Sequence, residues 1–281
     1  MSMCVGVCVL LITKPETHSI GKDGTVGKAL DILDIIAGFG RPVRYSEVLE
    51  NCSYPKATLY RFMQTLTNRK MLRYDSERQT YALGLHLVRL AHSAWRDSSL
   101  APIARPHLDA LSRATGMTIH LAQLEDGQVI YVDKRNARDP VEMYSGTGKI
   151  APAYCTGIGK AMVAFLGQSQ QANVIEKQSF YRYTPSTLCD DSRFRDVLNT
   201  IRADGIAFDR EEHEPGIICV AVPILSAGRV AGGLSITATT QQTTLDELQK
   251  FGDDLKATAT KIGVDAEIWN FPIGNDTTRG K

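Results

Sequence analysis

The chain has 281 residues, 43% of them hydrophobic, and a formal net charge of +1. That length suits two domains, or one large one, with enough apolar material for real cores. A charge so near zero excludes a chain that is basic throughout, so any surface for nucleic acid has to be local and offset elsewhere.

The six cysteines (Cys4, Cys8, Cys52, Cys155, Cys189 and Cys219) form no CxxC pair, and no two histidines stand at HExxH or HxxxH spacing. No metal site and no cofactor are expected. The scatter fits a reducing cytoplasm better than a disulfide framework.

The first residues, "MSMCVGVCVLLIT", are apolar from Met3 to Ile12. That run is about half of the ~20 residues a membrane span needs. It has no cation before it and no small-residue cleavage site after it, so it does not read as a signal peptide. Residues 1–23 are expected to be a disordered leader, or the product of an upstream start codon.

"GTVGKALDILDIIAGFG" (Gly24–Gly40) repeats apolar residues at three- and four-residue spacing, which predicts a helix stopped by Gly38 and Gly40. Ser46 is a candidate N-cap for a short helix through Val48, Leu49 and Glu50. Ser53, with Pro55 in the first turn, is a candidate cap for a third helix. In that helix Leu59, Phe62, Met63 and Leu66 form one apolar stripe, and Lys56, Thr58, Tyr60 and Arg61 lie off it. "MLRYDSERQTYALG" alternates around a polar turn at Asp75–Gln79, which predicts a hairpin.

Helix, short helix, helix, hairpin is the order of a winged helix-turn-helix. From Asn51 to Thr80 six cations face two anions, a local excess of four. A helix with small polar groups near its N-terminus and cations around them can enter a major groove. Lys56, Thr58, Tyr60, Arg61, Arg69, Arg73 and Arg78 are the candidate DNA contacts, with the arginines and Lys56 on phosphates and Thr58, Tyr60 and Lys56 on base edges. Residues 24–83 are therefore assigned to DNA binding and residues 84–97, "GLHLVRLAHSAWRD", to a linker helix. His86 and His92 stand six apart, off any ligand spacing.

From Ser98 the pattern turns to α/β. A helix ended by Gly116 precedes two strands around an Asp126–Gly127 turn, a hairpin signal. "PVEMYS" reads as a short strand, "TGIGKAMVAFL" and "DSRFRDVLNTIRADG" as helices. Three strand-like runs follow, with turns near Glu214–Gly216 and Ala227–Gly228, and "LDELQKFGDDLKATATKIG" closes with one helix. A mixed sheet flanked by helices is the expected assembly over residues 98–266. Residues 267–281 are expected to be a disordered tail.

This second domain does not read as an enzyme. "TGIGKA" (Thr156–Ala161) lacks the glycine a phosphate loop needs at position 154, which is Tyr154, and Ala161 stands where Ser or Thr would hold magnesium. Asp209, His213 and Cys219 have no nucleophile elbow around them, and Cys219 lies in an apolar strand. A binding pocket explains more. Ser235 and Thr237 sit two apart and share a strand face with Cys219. The amides near Gly157 and Ile158, at a helix N-terminus, suit a carboxylate. Asp209 would accept from a hydroxyl or hydrated carbonyl, or brace loop amides. The expected ligand is a short hydroxy- or oxo-acid.

These residues carry a resemblance. From about Thr25 to Gly263 the chain resembles the IclR family of bacterial transcriptional regulators, through "KALDILDIIA", "PKATLYRFMQTL", "YALGLHLVRLA", "ARPHLDALSRATGMTIHLA", "VIYVDK", "APAYCTGIGKAMVAFL" and "FDREEHEPGIICVAVPI" in this order. The resemblance implies an α+β chain: an N-terminal winged helix-turn-helix, a linker helix, and a C-terminal effector-binding domain with a GAF-like or profilin-like sheet. It implies homodimers that pair into homotetramers on roughly palindromic double-stranded DNA, small organic-acid effectors, and control of a nearby catabolic operon, with repression the expected sense. It places effector contacts on Gly157, Ile158, Asp209, Ile217, Cys219, Ser235 and Thr237. Many members have Ser and His where this chain has Ala57 and Tyr60, and smaller residues at Ile158 and Thr237, which favours a smaller effector such as a four-carbon hydroxy-acid or semialdehyde. The alternative expectation is a thiol redox regulator of the same architecture, using Cys155 and Cys219.

Overall fold

The structure, a computed structural model, describes residues 24–141, 143–269 and 271–273. The expected leader lies outside those residues, as does most of the expected tail. The chain forms two compact units, with the break between Ala94 and Trp95.

The first unit runs α1 (Gly24–Gly38), β1 (Val43–Arg44), α2 (Tyr45–Glu50), α3 (Lys56–Asn68), β2 (Leu72–Asp75) and β3 (Thr80–Leu83), then enters α4 (Leu85–Ser98). This is the expected winged helix-turn-helix. The three strands pair antiparallel in the order β1-β3-β2. The core forms where the apolar stripes of three helices converge: Ile32 and Ile36 from α1, Val48 from α2, and Leu59, Phe62, Met63 and Leu66 from α3.

Both expected caps shift. Helix α2 starts before Ser46. Arg44 is its N-cap, and its N–H donates to the Glu47 carboxylate at 2.7 Å. That carboxylate also accepts from Arg41 at 2.6 Å. Ser53 does not cap α3. Pro55 stands in the N-cap position, and its carbonyl accepts from the amides of Thr58 and Leu59 at 2.9 and 3.0 Å. In the wing turn the Asp75 carboxylate accepts from the amides of Glu77 and Arg78 at 3.0 and 3.1 Å. That is the local side-chain turn Asp favours.

The second unit holds α5 (Ala101–Thr115), β4 (Thr118–Glu125), β5 (Gln128–Arg135), β6 (Ile150–Pro152), α6 (Gly157–Ala164), α7 (Gln168–Glu176), α8 (Asp191–Asp204), β7 (Ala207–Arg210), β8 (Ile217–Ser226), β9 (Arg229–Thr239), α9 (Leu245–Gln249) and α10 (Gly252–Ile268). Six strands form one sheet in the order β6-β5-β4-β9-β8-β7. All its pairings are antiparallel, so in strand direction it is not the mixed sheet expected. The reason is local: β4–β5 and β8–β9 are hairpins with two-residue turns, at Asp126–Gly127 and Ala227–Gly228, each with both residues at positive φ.

Alternation along β8 divides two cores. Ile218, Val220, Val222 and Ile224 pack with Leu108 of α5 and Leu255 and Ile262 of α10. Cys219 and Ala221 face the other way, toward α6 and α8. Helices α5 and α10 are joined by His107 and Asp265 at 2.7 Å.

Four further features of the second unit differ from the sequence reading. The described residues between 140 and 145 are not in a strand; β5 pairs with β6 further on, at 150–152. The backbone there is taken by side chains: the Tyr144 N–H donates to Glu214 at 3.1 Å, and the Ser145 carbonyl accepts from Lys134 Nζ at 2.9 Å. Helix α7 was not expected, because "QSQQAN" has no apolar stripe and only Val174 and Ile175 are buried. The closing helix is two helices, with Asp253 and Asp254 in the first turn of α10, where acids suit the helix dipole. The helix then runs to Ile268, and Phe271 and Ile273 pack against the core, where a disordered tail from 267 was expected.

Candidate functional site

In the first unit Lys56, Tyr60 and Arg61 are exposed on α3, with Arg69 at its C-cap, Arg73 on β2 and Arg78 in the wing turn. Thr58 is half-buried on the flank of the helix, a poor position for reaching a base edge. The face opposite the buried stripe is instead centred on Ala57, Arg61, Gln64 and Asn68, all exposed. Gln64 is not among the residues expected from the sequence. It donates through Nε2 to the Tyr60 hydroxyl at 2.8 Å, which fixes both side chains on that face. The spacing 57, 61, 64, 68 is the signal that identifies it. A shallow crevice beside α2 is lined by Arg44, Tyr45, Tyr74 and Tyr81.

In the second unit a small cavity, about 30 Å³, opens on the sheet face that packs against α6. All seven expected effector residues line it: Gly157, Ile158, Asp209, Ile217, Cys219, Ser235 and Thr237. Strand register gathers them. Cys219 pairs with Thr237, and His120 pairs with Ser235, so β8, β9 and β4 present one polar patch. The space is enough for ~2 water molecules. A larger guest requires the cavity to open, and Tyr144, Ser145, His213 and Glu214 are loop residues on its wall.

Helix α6 is buried along its whole length, with Thr156 as N-cap accepting from the Gly159 amide at 3.3 Å. Gly157 is required there: a Cβ would stand 2.5 Å from Cys219 Sγ and 3.1 Å from the Asp209 amide. The Gly157 amide was expected to be free for a ligand, and it is not. It donates to the Asp209 carboxylate, which also accepts from the Glu212 amide at 2.8 Å. That leaves the Ile158 amide as the first-turn donor a ligand could use. Burial raises the Asp209 pKa to about 7, against the pull of nearby Lys160. Lys160 is itself buried in an ion pair with Glu212. The other Glu212 oxygen has no hydrogen-bond partner among the described residues.

His120, also absent from the expected set, is fully buried on the cavity wall between Thr237 and Ser145. Burial, and then Lys134, push its pKa down to about 3. Cys219 lines the cavity and Cys155 does not. Burial pushes both thiols well above the usual range, which opposes the thiolate that redox chemistry needs. The redox alternative, which uses both cysteines, finds Cys219 but not Cys155 on this wall.

Residues 92–264 match the family model described as "Bacterial transcriptional regulator IclR C-terminal", and residues 25–76 match "IclR helix-turn-helix domain". The regulator KdgR of Escherichia coli (strain K12) is 30% identical, covering 89% of this chain and 96% of its own. The transcriptional repressor IclR of the same organism is 27% identical, over 85% of this chain and 88% of its own. The crystal structure of the Thermotoga maritima IclR superposes with a TM-score of 0.71 at 28% identity, covering 86% of this chain and 98% of its own.

Proposed function

The chain belongs to the IclR family of bacterial DNA-binding transcriptional regulators, and from that premise we propose that it represses a catabolic operon and is switched by a small organic acid. The observation that carries the sensor half is the cavity, a polar patch enclosed on an otherwise apolar sheet face. A core that only had to be stable would not gather hydroxyls, an acid and an imidazole around a cavity.

In this reading Lys56, Arg61, Arg69, Arg73 and Arg78 hold phosphates, and the face of Tyr60, Arg61 and Gln64 meets base edges. Thr58 has a lesser part than its position in the sequence implies. Homodimers pairing into homotetramers bind a roughly palindromic operator in the cytoplasm. The carboxylate of the effector takes the Ile158 amide, while Ser235 and Thr237 take its other oxygen. Repression is the sense supported by repressors among the relatives. Among the described residues no helix is long and apolar enough to cross a membrane.

The test is binding to the promoter region beside the gene, titrated with short hydroxy-, oxo- and semialdehyde acids. Release of DNA by one compound is the expected result. DNA binding unchanged by every acid would overturn the organic-acid reading.

A further inference from the structure

Among the described residues lining the cavity there is neither a lysine nor an arginine. Three lysines lie near it. Lys160 is paired with Glu212, Lys134 donates to the Ser145 carbonyl at 2.9 Å, and Lys149 lies 5.6 Å from the centre of the Tyr144 ring. The wall instead holds two carboxylates, Asp209 and Glu214. The N-terminal end of α6 offers positive potential at one place, and Asp209 already takes part of it. One ligand carboxylate can be met there. His213, the other imidazole on the wall besides His120, has its pKa lowered by burial, so it offers no cation to a second.

The sheet side of the cavity is a chain of hydrogen bonds. Ser145 Oγ lies 2.8 Å from His120 Nε2, His120 Nδ1 lies 3.1 Å from Thr237 Oγ1, and Thr237 Oγ1 lies 3.4 Å from Ser235 Oγ. The buried imidazole is uncharged, so it has one N–H and one bare nitrogen. With the proton on Nδ1, Ser145 donates to Nε2, and the Thr237 hydroxyl is free to donate into the cavity. With the proton on Nε2, Thr237 donates to Nδ1 and keeps lone pairs to accept. Either arrangement suits a hydroxyl or a carbonyl oxygen. Neither supplies charge to a carboxylate or phosphate.

We propose that His120 determines specificity in this cavity by aligning the Ser145 and Thr237 hydroxyls for an uncharged oxygen, so that the ligand is a monocarboxylate carrying a hydroxyl or carbonyl, and not a dicarboxylate or a phosphorylated acid. This rests on the effector reading above and narrows it. A buried hydrogen-bonding wall rejects a ligand that leaves it unpaired, by a larger factor than an apolar wall rejects a missing methylene.

Calorimetry on the full chain with matched acids tests it. The four-carbon set is 4-hydroxybutyrate, butyrate and succinate; the three-carbon set is lactate, pyruvate, propionate and malonate. In at least one set the hydroxy- or oxo-acid is expected to bind at least ~10-fold tighter than both the plain acid and the diacid. In His120→Phe that ratio is expected to fall below about threefold, because the hydroxyl chain is no longer aligned. His120→Asn, which keeps a polar atom near Thr237, should retain part of the ratio, and it carries the test if the Phe variant does not fold. A merely structural role for His120 would weaken all acids of a set alike and leave the ratio unchanged, which would overturn the proposal. So would a diacid bound as tightly as its hydroxy partner, or DNA release by a diacid or phosphorylated acid when no monocarboxylate binds. If no compound of any class changes DNA binding, the sensor reading itself falls, and this inference with it.

Discussion

Helices α3 and α6 carry the two halves of the proposed function, and they are built in opposite ways. Helix α3 buries one stripe and keeps its chemistry on the exposed face, so Arg61 or Gln64 can change without touching the core. Helix α6 is buried on every side, and its chemistry sits at its first turn, where Gly157 touches Cys219 and Asp209. In α3 recognition and stability are separable. In α6 they share the same atoms, so a change that alters the ligand also alters the fold.

The sharpest way to break this contrast is to attack the buried ion pair behind the cavity. Lys160→Met leaves Glu212 as an unpaired buried charge, and a loss of about 3–5 kcal/mol is expected in urea unfolding. Replacing both partners, Lys160→Met with Glu212→Leu, should recover most of it. A single variant as stable as the parent would show that the pair is solvated.

The next effect is a matter of pH. Asp209, raised to about 7 chiefly by burial, binds more protons folded than unfolded, so its contribution to stability is full below about pH 4 and is lost as pH rises through 7. His120, lowered to about 3 chiefly by burial, contributes above about pH 6.5 and loses that contribution as pH falls toward 3. Between about pH 4 and 6.5 the two oppose each other. Asp209→Asn should unmask the histidine, with stability rising with pH by up to about 1.4 kcal/mol per unit. His120→Asn should show the reverse slope. Unfolding midpoints at several pH values decide it; parallel profiles in both variants would refute the assignment.

Gly157→Ala comes third. Its Cβ would overlap Cys219 Sγ, and such overpacking costs about 1–3 kcal/mol. The melting temperature should drop while DNA binding by the folded fraction persists. The smallest effect belongs to α3. Arg61→Ala should weaken DNA binding about tenfold and lower the salt slope by about 1, with the melting temperature unchanged. A matching loss of stability would mean that α3 is not separable after all.

The same contrast governs what was legible in the sequence. The winged helix-turn-helix was readable because Leu59, Phe62, Met63 and Leu66 repeat at helical spacing and the charge excess is local. The caps at Arg44 and Pro55 were not, since a serine near a helix start matches the rule whether or not the backbone uses it. The cavity residues on β8 and β9 followed from period-two alternation and the family resemblance. His120 did not, because its partners Ser145 and Thr237 lie 25 and 117 residues away and are brought to it by strand register and loop path. Helix α7 lacked an apolar pattern, and the backbone of Tyr144 and Ser145 is held by Glu214 and Lys134, which no local rule reaches.

The small size of the cavity has a consequence in time. With room for only ~2 water molecules, it admits a ligand only after its wall parts, and Tyr144 and Ser145, tied to Glu214 and His120, set how often that happens. Association that waits on such a step runs slower than diffusion, and dissociation waits on it too. A regulator built this way ignores a brief pulse of its signal and holds its response for a while after a sustained one ends.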